Sequence, residues 1–214
     1  KNYYLKVMPL EKYIARVIEA SYRLELQRIK VLEELRAYIK SNTASGGPVK
    51  LTFICTHNSR RSHLGQIWAQ KAALHHGLSF IQTFSGGTET TAFNPRAVAA
   101  LRRAGLTIND SEASAADNPR YEVIIKVGTP PVISFSKMFD HPENPQKNFC
   151  AVMTCSEADE SCPIIFGANS KIRLIYQDPK VSDGTNTEIV TYDQRCLQIA
   201  SEMFYVMRQV KGEA

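Results

Sequence analysis

No apolar run in this chain approaches the ~20 residues needed to cross a bilayer as a helix, so membrane partners are set aside. Lys and Arg exceed Asp and Glu for a formal net charge of +5, yet they are not gathered into a block. Nucleic acid is therefore not indicated as a partner, and the mild positive field suits an anionic substrate. The cysteines number five, an odd count in a chain this long, which is not the pattern of a secreted disulfide framework. A reducing cytoplasm is the expected compartment, with the cysteines kept for reactivity or packing. Lys1-Asn-Tyr-Tyr-Leu5 does not resemble a signal peptide, and a start without Met leaves the natural beginning of the chain open. Repeats and low-complexity tracts are missing too. What is present, over 214 residues, is 43% apolar and 22% charged. That predicts a soluble globular domain of good size plus an appendage.

Leu10 to Ser41 contains neither Gly nor Pro. Apolar residues recur there at helical spacing, through Leu10, Tyr13, Ile14, Val17 and Ile18, then Ile29, Leu32, Leu35 and Ile39. One long helix is predicted, or two broken near Ser21-Tyr22. This N-terminal helical extension (1–45) is expected to pack its stripe on the main domain, with a homodimer contact as the rival. Thr43-Ala-Ser-Gly-Gly-Pro48 reads as a linker. From there to residue 214 the chain alternates in the α/β manner. Strands are predicted at Val49–Ile54, Ser79–Phe84, Phe149–Met153 and Ile172–Tyr176. Helices are predicted at Ser62–His76, from Pro95 (capped by Asn94) to Arg103, and at Glu188–Val210. Tyr121–Val127 and Val132–Phe135, around Gly128-Thr-Pro-Pro131, read as a hairpin.

Cys55-Thr-His-Asn-Ser-Arg-Arg61-Ser62 lies between the first strand and the first helix of this series. A loop placed there aims its backbone N–H groups, from Thr56, His57, Asn58, Ser59, Arg60 and Arg61, at a bound oxyanion, with the positive end of the helix behind them. That field favours Cys55 as a thiolate nucleophile. Arg61 can grip two oxyanion oxygens through its planar fork, and Ser62 can donate to the Cys55 sulfur. Spacing alone is also compatible with a buried strand-end cysteine beside surface arginines.

In the second half, Cys155 and Cys162 stand seven positions apart after a strand, separated by a polar segment expected to be mobile. Zinc ribbons use C-x₂₋₄-C pairs, usually two of them, and no second pair exists here, so no metal is expected. Asp178-Pro179 follows the last strand, at the sheet edge where ligands of open α/β folds bind. A carboxyl group there can act as general acid or base, although Asp-Pro is also an ordinary turn dipeptide.

Together these segments resemble the low-molecular-weight protein tyrosine phosphatases and the thioredoxin-coupled arsenate reductases built on their fold. Cys55-Thr-x-Asn-Ser-x-Arg-Ser62 is similar to their active-site loop. Ser85-Gly-Gly87 stands where the reductases have Ser-Ala-Gly, and Asn94-Pro95-x-Ala97-Val98 with Gly105 is similar to their second helix. Thr154-Cys155-Ser-x-Ala158-x-x-x-Cys162-Pro163 resembles the reductases' redox segment, and Asp178-Pro179 the Asp-Pro of both groups. The resemblance runs from about Lys50 to the C-terminus, interrupted by an insertion at about 120–148. It implies a three-layer α/β sandwich with a four-stranded parallel sheet, a hairpin insertion and the N-terminal helical extension.

For function it implies that Cys55 attacks arsenate held by Arg61 and the loop amides, with Asn58 and Ser85 in support and Asp178 protonating the departing oxygen. Cys155 then attacks Cys55, and Cys162 attacks Cys155, leaving a disulfide for thioredoxin to reduce; no cofactor is implied. With a phosphate ester the same Cys55, Arg61 and Asp178 would perform hydrolysis through a phosphocysteine. A redox-sensing or oxyanion-binding module without catalysis is the third reading.

Four positions depart from the family. His57 replaces a usual Gly, with backbone strain expected if that position needs φ > 0. Arg60 stands where a second cysteine is frequent, either adding potential at the mouth or facing solvent. Gln66 replaces a Glu that helps some reductases hold potassium, and Gln177 replaces a common acidic neighbour of Asp178, which should leave the Asp178 pKa less raised. Cys150 and Cys196 are read as packing residues, and His63 and His141 as single residues without metal partners.

Overall fold

The computed structural model describes residues 7–43, 46–111, 117–161 and 164–212. Helices α1 (Leu10–Ser21) and α2 (Leu26–Thr43) come first, so the break near Tyr22 is real. Then follow β1 (Val49–Cys55), α3 (Arg61–His75), β2 (Ile81–Gly87), α4 (Pro95–Arg103), β3 (Thr107–Asp110), β4 (Tyr121–Ile124) and β5 (Val132–Ser134). The last elements are β6 (Phe149–Met153), α5 (Ser156–Ser161), β7 (Ala168–Arg173), a 3₁₀ turn (Pro179–Ser182) and α6 (Glu188–Lys211).

Four strands form a sheet in the order β2-β1-β6-β7, and each pairing is parallel. Strand β1 is central, and its VKLTFIC run is buried on both faces, as a parallel strand covered on both sides must be. Leu51, Phe53, Cys150 and Val152 point into the larger core, with α3 and α6 and with Tyr13, Val17, Leu32, Leu35 and Ile39 of α1 and α2. Ile54, Ala151 and Met153 point the other way, onto Ala158 of α5, Ile165 and Phe139. The result is the three-layer α/β sandwich expected. The apolar stripe of the N-terminal helices packs on α6 of the same chain. A buried ion pair reinforces that seam, with Arg28 of α2 gripping Glu202 of α6 through both carboxylate oxygens, at 2.9 and 2.6 Å. No helix among the described residues is long and apolar enough to cross a membrane.

Three local expectations are corrected. The hairpin is the larger part of a three-stranded antiparallel sheet, because Thr107–Asp110 pairs with β4. Strand β7 begins at Ala168, before the apolar signal at Ile172. It is an edge strand, and only Ile172 is fully buried in it, so its first half carries no hydrophobic pattern. The polar run after Cys155 is a helical turn, not an unstructured segment. Asp159 of α5 is buried and bound by Lys171 at 2.8 Å and by Arg173, both on β7.

Candidate active site

Cys55 ends β1 and Cys155 follows the end of the neighbouring parallel strand β6, so the topology brings both thiols to one sheet edge. The loop 56–60 crosses that edge and runs into α3. Its carbonyls are held from outside. Cys55 O accepts from Thr88 N–H (3.2 Å), Thr56 O from Glu89 N–H (2.8 Å) and Ser59 O from Asn94 N–H (2.9 Å). His57 O accepts from Ser136 Oγ at 2.8 Å. In a trans peptide the N–H of the next residue lies opposite the carbonyl, and no cis bond occurs among the described residues. Pinning the oxygens outward therefore turns N–H groups inward. Consistently, no hydrogen bond within the described residues uses the N–H groups of His57, Asn58, Ser59 or Arg60. Together with the α3 N-terminus they make a cradle of inward-facing donors, the arrangement that suits an oxyanion.

The strain expected at His57 is absent. Positive φ falls one residue later, at Asn58 (φ 44°), a residue type that tolerates the left-handed region. Asn58 is fully buried and orders the neighbourhood of Cys55. Its Oδ1 accepts from Lys137 N–H at 2.9 Å, which fixes the amide, so Nδ2 donates to Ser62 Oγ at 2.8 Å. Ser62 then has its own hydrogen free for the Cys55 sulfur, 3.1 Å away. Ser59 Oγ donates to Ala92 O, tying the loop to the 88–94 segment.

Arg61 is buried, with Nη1 donating to Tyr176 O (3.0 Å) and Nη2 to Asp178 Oδ2 (2.7 Å). Its Nε has no partner among the described residues, leaving a donor for an oxyanion. Asp178 caps the 3₁₀ turn, accepting from Lys180 N–H at 3.0 Å. Arg60 does not face solvent. Its Nε donates to Tyr192 Oη at 2.9 Å, and Tyr192 donates to Asp183 at 2.8 Å. Thr56, His57, Arg60, Arg61, Glu157, Asp178, Lys180 and Val181 line an open cavity of about 490 Å³. None of these residues is Phe, Tyr or Trp.

Cys155 is fully buried against the loop, with Thr56 Oγ1 3.3 Å and Ala158 N–H 3.4 Å from its sulfur. Burial pushes its thiol up; Thr56, Ala158 and Arg61 oppose that shift. Cys162 lies outside the described residues. Ser85 acts behind the loop and not on Cys55. Its Oγ is 3.3 Å from Nδ1 of His63, a fully buried ring stacked on Phe93 at 4.0 Å. Burial, then the nearby Lys137 charge, lower the His63 pKa well below the ordinary range and keep the ring neutral. At position 66 there is no carboxylate for a potassium ion; the Gln66 amide donates to Thr83 O at 3.1 Å. Cys150 and Cys196 are buried packing residues, pushed by burial up to about 12 and about 11.

Residues 50–130 match the model of the low molecular weight phosphotyrosine protein phosphatase family. Over that stretch the chain is similar to that family. An arsenate reductase of Bacillus licheniformis is 26% identical over 143 residues, covering 67% of this chain and 83% of that protein. Arsenate reductase 2 of Staphylococcus epidermidis is 26% identical over 152 residues, covering 67% and 95% respectively. Among solved structures, a YwlE arginine phosphatase with a phosphorylated active-site serine aligns with a TM-score of 0.51 at 15% identity, over 76% of this chain and 96% of that one. That likeness shows the fold.

Sequence reasoning missed the residues behind the loop. Ser136, Lys137 and Tyr192 touch it from 79 to 132 positions away, and no local pattern marks them.

Proposed function

We propose that this chain is an arsenate reductase that works through Cys55, Cys155 and Cys162 in a reducing cytoplasm and is recycled by thioredoxin. The observation that carries the reading is the second thiol. Cys155 sits in the wall of the Cys55 loop, hydrogen-bonded to Thr56, and hydrolysis itself needs no second thiol, which in a phosphatase would serve only to protect Cys55 from irreversible oxidation. Cys55 displaces one oxygen of arsenate, forming an S–As bond, with Asp178 supplying the proton as that oxygen leaves as water. Cys155 attacks the Cys55 sulfur. The S–S bond forms, the S–As pair passes to arsenic, and As(V) leaves as As(III) arsenite. Cys162 next attacks Cys155, returning Cys55 to the thiol form, and the thioredoxin dithiol reduces the resulting disulfide.

Phosphoester hydrolysis by Cys55, Arg61 and Asp178 is the second reading, favoured by the family match over 50–130. The mouth has no Phe, Tyr or Trp to stack on a phosphotyrosine ring, and its one ring, the His57 imidazole, is paired with Glu89 at 3.2 Å, which supports the inorganic oxyanion instead. Arsenate-dependent oxidation of reduced thioredoxin, measured beside phosphate-ester hydrolysis, separates the two. Cys55→Ser, Cys155→Ser and Cys162→Ser should each abolish arsenate turnover, and only Cys55→Ser should abolish hydrolysis. Full arsenate turnover in Cys162→Ser would sink the relay.

A further inference from the structure

The segment inserted at about 120–148 reaches the back of the oxyanion loop. Ser136 Oγ accepts from Thr91 N–H at 2.9 Å, so its own hydrogen goes to His57 O at 2.8 Å. Holding that carbonyl outward aims the Asn58 N–H, across the same trans peptide, into the cradle. One residue on, Lys137 N–H fixes the Asn58 amide, which orients Ser62, which in turn donates to the Cys55 sulfur. Ser136 is itself clamped at its backbone: its N–H donates to Asn118 Oδ1 (3.0 Å), and Asn118 Nδ2 donates to its carbonyl (2.8 Å). The clamp continues along the edge of the parallel sheet. Gly87 N–H donates to Lys137 O (2.8 Å), Phe139 N–H to Gly87 O (2.9 Å), and Asn144 Nδ2 to Ser85 O (3.0 Å).

We propose that the inserted segment is one half of the oxyanion site, with Ser136 and Asn118 as positioning residues that set the loop's amides and the hydrogen bond on Cys55. This rests on the oxyanion-binding reading of the loop. A lid would contact the mouth, and a partner interface would face outward; these bonds do neither, because they end on His57 O and Asn58 Oδ1 behind the loop.

The test is alkylation of Cys55 by iodoacetamide, followed on the Cys55 peptide by mass spectrometry, with inorganic phosphate as protectant. Ser136→Ala should need about two- to tenfold more phosphate for half-protection, the range expected for one lost hydrogen bond. Ser136→Thr, which keeps the hydroxyl, should restore the parent value. Asn118→Ala, which removes the clamp without touching the loop, should shift half-protection in the same direction, and it decides the matter if Ser136→Ala does not fold. A purely structural role would lower the melting temperature and leave half-protection where it was. Half-protection unchanged in the folded variants therefore overturns the proposal. Absence of phosphate protection in the parent would instead remove the oxyanion reading, and this proposal with it.

Discussion

Removing Arg28 should unfasten the N-terminal helices from the catalytic layer. The Glu202 carboxylate it grips is 1% exposed. Without the guanidinium, that carboxylate keeps, among the described residues, Tyr176 Oη (2.7 Å) and Gln198 Nε2 (3.1 Å) as donors, and Ile175 O loses the donor at 3.0 Å that Arg28 Nη1 supplies. Breaking a buried pair from one side costs about 3–5 kcal/mol. The two remaining donors and the partial exposure of Arg28 (24%) place Arg28→Ala at the low end, about 3 kcal/mol. For a chain of this size each kcal/mol lowers the melting temperature by about 2–4 °C, so a fall of roughly 6–12 °C is expected. Circular dichroism melts of the parent, Arg28→Ala, Glu202→Gln and the double variant measure it. The double variant should lose less than the sum of the singles, since a neutral amide needs no buried cation. An Arg28→Ala melt within about 2 °C of the parent would refute the reasoning.

Two further perturbations test the loop's surroundings. Burial pushes the Lys137 ammonium from 10.5 down to about 8, with Glu143 opposing and Arg120 assisting. Between those values the unfolded chain holds a proton that the folded chain has released, so stability should rise with pH there, by about 3 kcal/mol in all. Below about pH 8 the folded state carries the buried charge and the rise is absent. Lys137→Met should remove this rise; urea midpoints at pH 7.5 and 10 that change in parallel for parent and variant would contradict it. Gly87→Ala should abolish phosphate protection of Cys55. An added Cβ would stand 2.6 Å from Thr56 O and 2.7 Å from Asn58 N, which are backbone atoms of the cradle, and unaltered protection would show that the cradle can yield.

What was legible in the sequence is what local chemistry determines. The β1 run, the Cys55–Ser62 loop, the Asn94 cap with its hydrogen bond to Arg96 N–H, and Asp178 at the sheet edge all follow from residue type and spacing. What was hidden depends on partners far along the chain. Strand β3 has no apolar alternation of its own and exists because β4 pairs with it. Arg60 looked as ready for solvent as for the pocket until Tyr192 of α6 took its Nε. His57 departs from the family's usual Gly, yet the positive φ belongs to Asn58, whose side chain is also used. Ser136 lay in a segment that was legible only as an insertion.

The bond between Arg61 and Asp178 has a consequence for selectivity. In the resting protein one arm of the guanidinium is already engaged by an anion belonging to the chain itself, at 2.7 Å, while Nε remains unengaged. A visiting anion thus gains one donor freely and must compete for the second against a tethered rival that never diffuses away. Its apparent affinity is its intrinsic affinity scaled by the fraction of time the arm is released. Weakly charged anions stall at the first donor, and a dianion can also win the second. On the proposed reading, the anion that wins the second donor also frees Asp178 from Arg61, so that its carboxyl group, once protonated, would be available to the leaving oxygen and recognition of charge would be coupled to the acid.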